Sequence, residues 1–148
     1  GIPRTQFIND YINMYYSGAC DGLAAYQASN FSAVVGLENL DKPLDSAALI
    51  AFCKQQFSSA AMWHTPDYLY NDGEDNTFIV GPTSYTVKDP TTNKPCTIYF
   101  EMTSHFHSYV DPTSNSVKID FSGFAYDEDS ALVNLKETCH TSPPLFHM

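Results

Sequence analysis

A chain of 148 residues, 43% hydrophobic and 14% aromatic, has the material for one packed domain and is not a disordered tail. Its 17 acidic against 7 basic residues give a formal net charge of -10, which repels nucleic acid and anionic membrane surfaces, so neither is expected as a partner. No apolar run approaches the roughly 20 residues that cross a bilayer, and the compartment stays open, cytoplasmic or secreted with a leader removed.

Taken in chain order, residues 5–18 read as a helix. Thr5 is placed to cap it just after Pro3, and Phe7, Ile8, Tyr11, Ile12, Met14 and Tyr15 recur at three- and four-residue steps to form a broad apolar face. A short helix through Asp21 to Ala28 and a short strand from Asn30 to Leu37 follow. Asp45 or Ser46 then caps a second helix running to about Ala60, with Leu49, Ile50, Cys53 and Phe57 on one side.

Everything after Met62 reads as sheet. Segments 62–70, 76–88, 96–110, 116–126 and 131–138 are rich in aromatic and β-branched residues. Asn71-Asp72-Gly73, Asp89 to Pro95, Asp111-Pro112 with Asn115, and Asp127 to Asp129 punctuate them as turns. Hairpin following hairpin implies an antiparallel sheet, and helices before strands imply a single α+β domain over 1–148.

The cysteines Cys20, Cys53, Cys96 and Cys139 form no CxxC pair, which argues against a zinc knuckle. Buried free thiols are the plainer reading; two disulfides would allow three pairings. Asn30-Phe31-Ser32 is a glycosylation triplet of a kind common by chance.

The order of elements resembles the NTF2-like superfamily, and within it the SnoaL-like cyclases and the scytalone dehydratase group. Carrying the resemblance are the first helix with a Tyr near its end, the run Cys20 to Tyr26, and the run Val117 to Asp127 before a tight turn and a closing strand Ala131 to Thr138. The resemblance implies a cone, with N-terminal helices packed on a strongly curved antiparallel sheet that encloses a pocket. It also implies proton-transfer chemistry on a small ring-containing, polyketide- or terpenoid-like molecule. By position Tyr15 resembles the dehydratase's first-helix Tyr, and His64 and His107 its two pocket histidines. The sequence departs from that group in three ways. No Tyr occurs near Val34 to Gly36, Tyr16 stands where an aspartate is expected, and Asp120 and Ser122 fall near the dehydratase's Ser and Asn.

Dehydration or isomerisation beside a carbonyl needs a base for a carbon-bound proton and a donor for the enolate or leaving hydroxyl. Histidine suits either role near neutral pH. An aspartate serves as base where apolar walls raise its pKa. His64, His107, Tyr15 and Asp120 are therefore the candidate catalytic residues, and Trp63, Phe106, Ser122, Phe124 and Tyr126 the candidate substrate contacts. No cofactor and no metal is expected, although the His105-Phe106-His107 pair has a chelating spacing.

Strict alternation puts His105 and His107 on the strand face opposite Ile98, Phe100, Met102 and Phe106. A bulge near Thr103-Ser104 would turn them round; without it they face solvent or a second subunit. Asp120 shares a face with Ser122, Phe124 and Tyr126, while Val117, Ile119 and Phe121 make the other face apolar too. Two apolar faces predict a homodimer. The competing functional reading is a non-catalytic binding module for a small hydrophobic ligand, or an assembly scaffold.

Overall fold

The computed structural model describes residues 4–36, 41–72 and 75–142. Pro3, Leu37 and Gly73, placed above at a helix entry, a strand end and a turn, lie outside them. Helix α1 spans Arg4–Tyr16 and buries Ile8, Tyr11, Ile12, Tyr15 and Tyr16, a stripe at steps of three and four residues. A 3-10 turn, Cys20–Tyr26, leads into strand β1, Gln27–Val35. Helix α2, Ser46–Phe57, starts where the Asp45 carboxylate accepts the Ala48 N–H at 2.8 Å and buries Leu49, Phe52 and Cys53.

The six-stranded sheet comprises β1, β2 (Ala61–His64), β3 (Tyr68–Asn71), β4 (Asn76–Lys88), β5 (Pro95–Asp111) and β6 (Ser116–Tyr126), in the order β1-β6-β5-β4-β2, with β3 also on β4. The sheet is curved and not closed. Its concave side carries Ile79, Tyr85, Ile98, Met102, Phe106, Ile119 and Phe124, all in one buried cluster with the α1 stripe. Three sequence expectations need correction. The sheet is mixed: β1 lies parallel to β6, because no hairpin joins them and the long intervening connection leaves their direction free. Residues 62–70 are two strands with a step between them. The segment 131–138 is helical. Helix α3, Glu128–Cys139, buries Ala131, Leu135 and Cys139, a four-residue period that overrides its β-branched content, and Asp127 caps it through the Ser130 N–H at 3.0 Å.

The step between β2 and β3 fixes what faces inward. His64 pairs with Thr83 and Tyr68 with Val80, so Thr65-Pro66-Asp67 spans only Gly81 and Pro82 on β4. Thr65 N–H donates to Pro82 O at 2.9 Å and Asp67 N–H to Val80 O at 3.1 Å. The loop crosses so close that a Cβ on Gly81 would lie 1.9 Å from Thr65 O. Gly81→Ala is therefore expected to destabilise the fold by about 3 kcal/mol, the upper part of the overpacking range; urea denaturation checks this, and an unchanged midpoint would disprove the close crossing.

All four cysteines are paired, Cys20 with Cys53 and Cys96 with Cys139, correcting the free-thiol expectation. The first bridge ties the 3-10 turn to α2; the second ties the end of α3 to the start of β5. His140, in the left-handed region at φ 56°, ends α3, and its Nδ1 lies 3.1 Å from the Asp89 carboxylate.

Candidate active site

Four sequence-selected catalytic residues fall into two groups on opposite sides of the sheet. Tyr15 and His64 lie in the concave interior. His107 and Asp120 lie on the convex face.

The interior group begins with α1, whose last turn delivers two adjacent tyrosines. The Tyr15 ring meets Tyr16, Phe57 and Phe124 at centroid distances of 5.4, 5.9 and 5.9 Å, and its hydroxyl donates to Gln56 Oε1 at 3.2 Å. Tyr16 stacks on the imidazole of His64, 5.8 Å between centroids with planes 29° apart. Its hydroxyl points to Met102 Sδ at 3.2 Å, a weak acceptor. Burial pushes the hydroxyls of Tyr15 and Tyr16 well above the ordinary tyrosine pKa, so both remain proton donors.

His64 is 2% exposed. Strand alternation in β2 sends Met62 and His64 inward and Trp63 outward. The His64 Nδ1 lies 2.9 Å from Thr83 Oγ1, its ladder partner, and its Nε2 is buried with no hydrogen-bond partner among the described residues. Ser122 Oγ and Gln56 Nε2 are in the same condition. Buried polar atoms are nearly always bonded, so His64, Ser122 and Gln56 each keep open hydrogen-bonding capacity among the described residues. Burial lowers the His64 pKa below 6.5, partly opposed by Asp67.

That shift has a consequence for stability. With a folded pKa below the unfolded value, the folded state binds fewer protons than the unfolded chain at acid pH. The contribution of His64 is therefore fully present above 6.5 and is lost as pH falls from 6.5 through the folded value. His105 is shifted the same way, by burial first and then by His107. Replacing His64 by Gln is expected to flatten the decline in unfolding free energy below 6.5, read by denaturation at a series of pH values; an identical slope would contradict a neutral buried imidazole.

The convex group forms through a bulge on β6 that the sequence reading did not foresee. No irregularity occurs at Thr103-Ser104. The ladder between β5 and β6 instead shifts between His107, paired with Phe121, and Ser108, paired with Ile119, which leaves Asp120 as the extra residue. Asp120 thus leaves the face of Ser122 and Phe124 and meets His107, Oδ1 to Nδ1 at 2.5 Å. The His107 Nε2 lies 3.9 Å from Asp75 Oδ2, and Asp75 holds Arg4 at 2.6 Å. His105 bonds Asn76 Oδ1 at 2.9 Å and stacks flat on Phe78 at 4.5 Å. No set of three His, Cys, Asp or Glu among the described residues is arranged to hold a metal ion.

The remaining candidates divide likewise. Phe106, Ser122 and Phe124 are buried on the concave side, Phe106 and Phe124 in edge-to-face contact at 6.1 Å. Tyr126 packs on Phe100 at 5.2 Å. Trp63 is exposed on the convex side, and strand register puts the exposed Tyr68, Tyr70, Phe78 and Tyr99 on that same face. Sequence reasoning missed Tyr16, Thr83 and Gln56. Tyr16 continues the stripe one step from Ile12, and Gln56 is a polar residue at an apolar-face position of α2 after Leu49, Phe52 and Cys53, so both carried a signal. Thr83 carried none, because only its pairing with His64 gives it a role.

Solved structures share this architecture at low sequence identity. A candidate SnoaL-like polyketide cyclase from Shewanella denitrificans OS-217 superposes with a TM-score of 0.70 at 14% identity, covering 90% of this chain and 97% of its own. The chain has an NTF2-like fold. A protein of ketosteroid isomerase-like fold from Catenulispora acidiphila DSM 44928, in complex with trimethylamine, matches with a TM-score of 0.70 at 12% identity over 97% of this chain and 100% of its own. An LEH-like epoxide hydrolase from M. tuberculosis matches at 0.64 and 10% identity, covering 90% and 89%. No protein-family model and no curated protein matches the sequence. At these identities the likenesses establish the fold alone. No helix among the described residues is long and apolar enough to cross a membrane.

Proposed function

We propose that this NTF2-like chain is a cofactor-independent acid–base enzyme, a dehydratase, isomerase or cyclase, acting on a small ring-containing molecule of polyketide or terpenoid type inside the cone. One observation carries the reading: a buried histidine with one nitrogen held by Thr83 and the other without a hydrogen-bond partner among the described residues. With Nδ1–H donating to Thr83 Oγ1, the Nε2 lone pair is free to take a carbon-bound proton. The lowered pKa keeps it free at neutral pH.

Tyr16 supplies the complementary group. Its hydroxyl gives up only a sulfur contact when it turns to a substrate carbonyl, and oxygen is the better acceptor. Tyr15 and Ser122 offer further donors to the developing enolate oxygen. The imidazolium formed at His64 then returns its proton to another carbon or to a departing hydroxyl. The exposed aromatics of the convex face support the expected homodimer, by offering apolar surface for a second copy to cover.

The test uses β-tetralone, a bicyclic ketone whose protons beside the carbonyl exchange through an enolate. The protein is expected to accelerate deuterium incorporation at that carbon in heavy water, followed by NMR, above the buffer rate. Binding without acceleration would favour the binding-module reading. Neither binding nor exchange, for β-tetralone and its monocyclic and tricyclic counterparts, would overturn both.

A further inference from the structure

We infer that Asn30 is an N-glycosylation site, modified as the chain passes through an oxidising secretory compartment. Two independent observations carry this. The first is local. Asn30-Phe31-Ser32 is the only Asn-x-Ser/Thr triplet in the sequence, and the fold presents it as an acceptor. Phe31 is 4% exposed and anchors the segment in the core, whereas Ser29 and Asn30 are exposed.

The pairing of β1 with β6 explains the exposure. Gln27 pairs with Ile119 and the next pair is Ser32 with Phe121. Five residue steps on β1 thus span two on β6, and the surplus chain is pushed out of the ladder. Asn30 sits on that outward stretch, on the outermost strand of the sheet. A glycan there displaces no packed side chain, and it shields a strand edge that would otherwise invite pairing with another chain.

The second observation lies elsewhere in the molecule. All four cysteines are in disulfides, each joining separate elements. Such bridges form and persist in secretory and extracellular compartments and are rare in the reducing cytosol. A triplet that is unremarkable in a cytosolic protein becomes a substrate in the compartment these bridges require.

The reaction needs an oligosaccharide carried on a lipid diphosphate. The Asn30 Nδ2 bonds to the anomeric carbon of that sugar, the anomeric C–O bond breaks, and the lipid diphosphate leaves with the electron pair. The amide proton passes to a base of the transferase.

Secretion of the protein from eukaryotic cells, followed by intact mass measurement and peptide mapping, tests the inference. Thiol titration on the same sample should find no free cysteine. The expected result is a glycan-sized mass increment on the peptide containing Asn30. Peptide N-glycosidase should remove it, leaving the mass of one Asn-to-Asp conversion. Both N30Q and S32A should abolish the increment. S32A retains the asparagine and so separates loss of the sequon from loss of the side chain, and thermal melting of both variants confirms that they fold. An unmodified Asn30 in secreted, fully disulfide-bonded protein would overturn the inference, as would secreted, folded protein whose cysteines titrate as free thiols.

Discussion

His64→Ala is expected to lower the rate of β-tetralone deuterium exchange by roughly 10²- to 10⁴-fold, the contribution typical of a positioned general base. The effect should fall on the chemical step with little change in ligand affinity, because the imidazole is proposed to act on a proton in the transition state and not on the bound ring. The wild-type rate should rise with pH through an apparent pKa below 6.5 and then level off, since burial disfavours the charged imidazole. His107→Ala serves as the control. His107 bonds Asp120 across the sheet from His64, so its loss should leave the exchange rate within about twofold, an effect under 1 kcal/mol. Thr83→Val removes the oxygen that holds Nδ1 while keeping strand shape, and should reproduce part of the His64 defect. An His64→Ala enzyme that folds, melts normally and exchanges β-tetralone at the wild-type rate would rule out His64 as the base.

Loss of the disulfides should have the largest effect on stability. The bridges close sequence separations of 33 and 43 residues. By the chain-entropy relation each constrains the unfolded state by about 4 kcal/mol. For a chain of 148 residues, that converts to a fall in melting temperature of roughly 8–16 °C per bridge. The paired variants C20S/C53S and C96S/C139S, each melted alone and then combined, measure it. Domains of this kind have only about 5–15 kcal/mol of total stability, so losing both bridges, about 8 kcal/mol by the same relation, is expected to remove more than half of it. Losing Cys96–Cys139 should also loosen α3 first, because the remaining polar anchor at its end is the half-exposed His140 against Asp89; amide exchange in α3 faster than in α2 would show this. Unchanged melting on full reduction would refute the stabilising role.

The fold was largely legible because its signals are local. The stripe of α1, the capped start of α2, and the long alternating runs of β4, β5 and β6 each follow from residue type and period. Where reading failed, a local signal was overruled or two signals were close in strength. Residues 131–138 carry Leu132, Val133 and Leu135, which suggest a strand, yet Asp127 capping at Ser130 and burial of Ala131, Leu135 and Cys139 make a helix. The cysteines gave no pairing, since nothing in their spacing says which elements end up adjacent.

The candidate site was legible in part. His64 and Tyr15 were named as candidates through the resemblance, and the sequence determined the alternation that sends His64 one way and Trp63 the other. It also determined that His107 lies opposite Phe106. Register was decided only in three dimensions. A step at Gly81-Pro82 sets Thr83 against His64, and a bulge at Asp120 brings that carboxylate to His107 and away from Ser122. A one-residue slip in pairing exchanges the two faces of a strand, and strand pairing depends on partners far away in the chain. So the chemistry available was written in residue types, while the side of the sheet on which each group acts was settled by long-range packing.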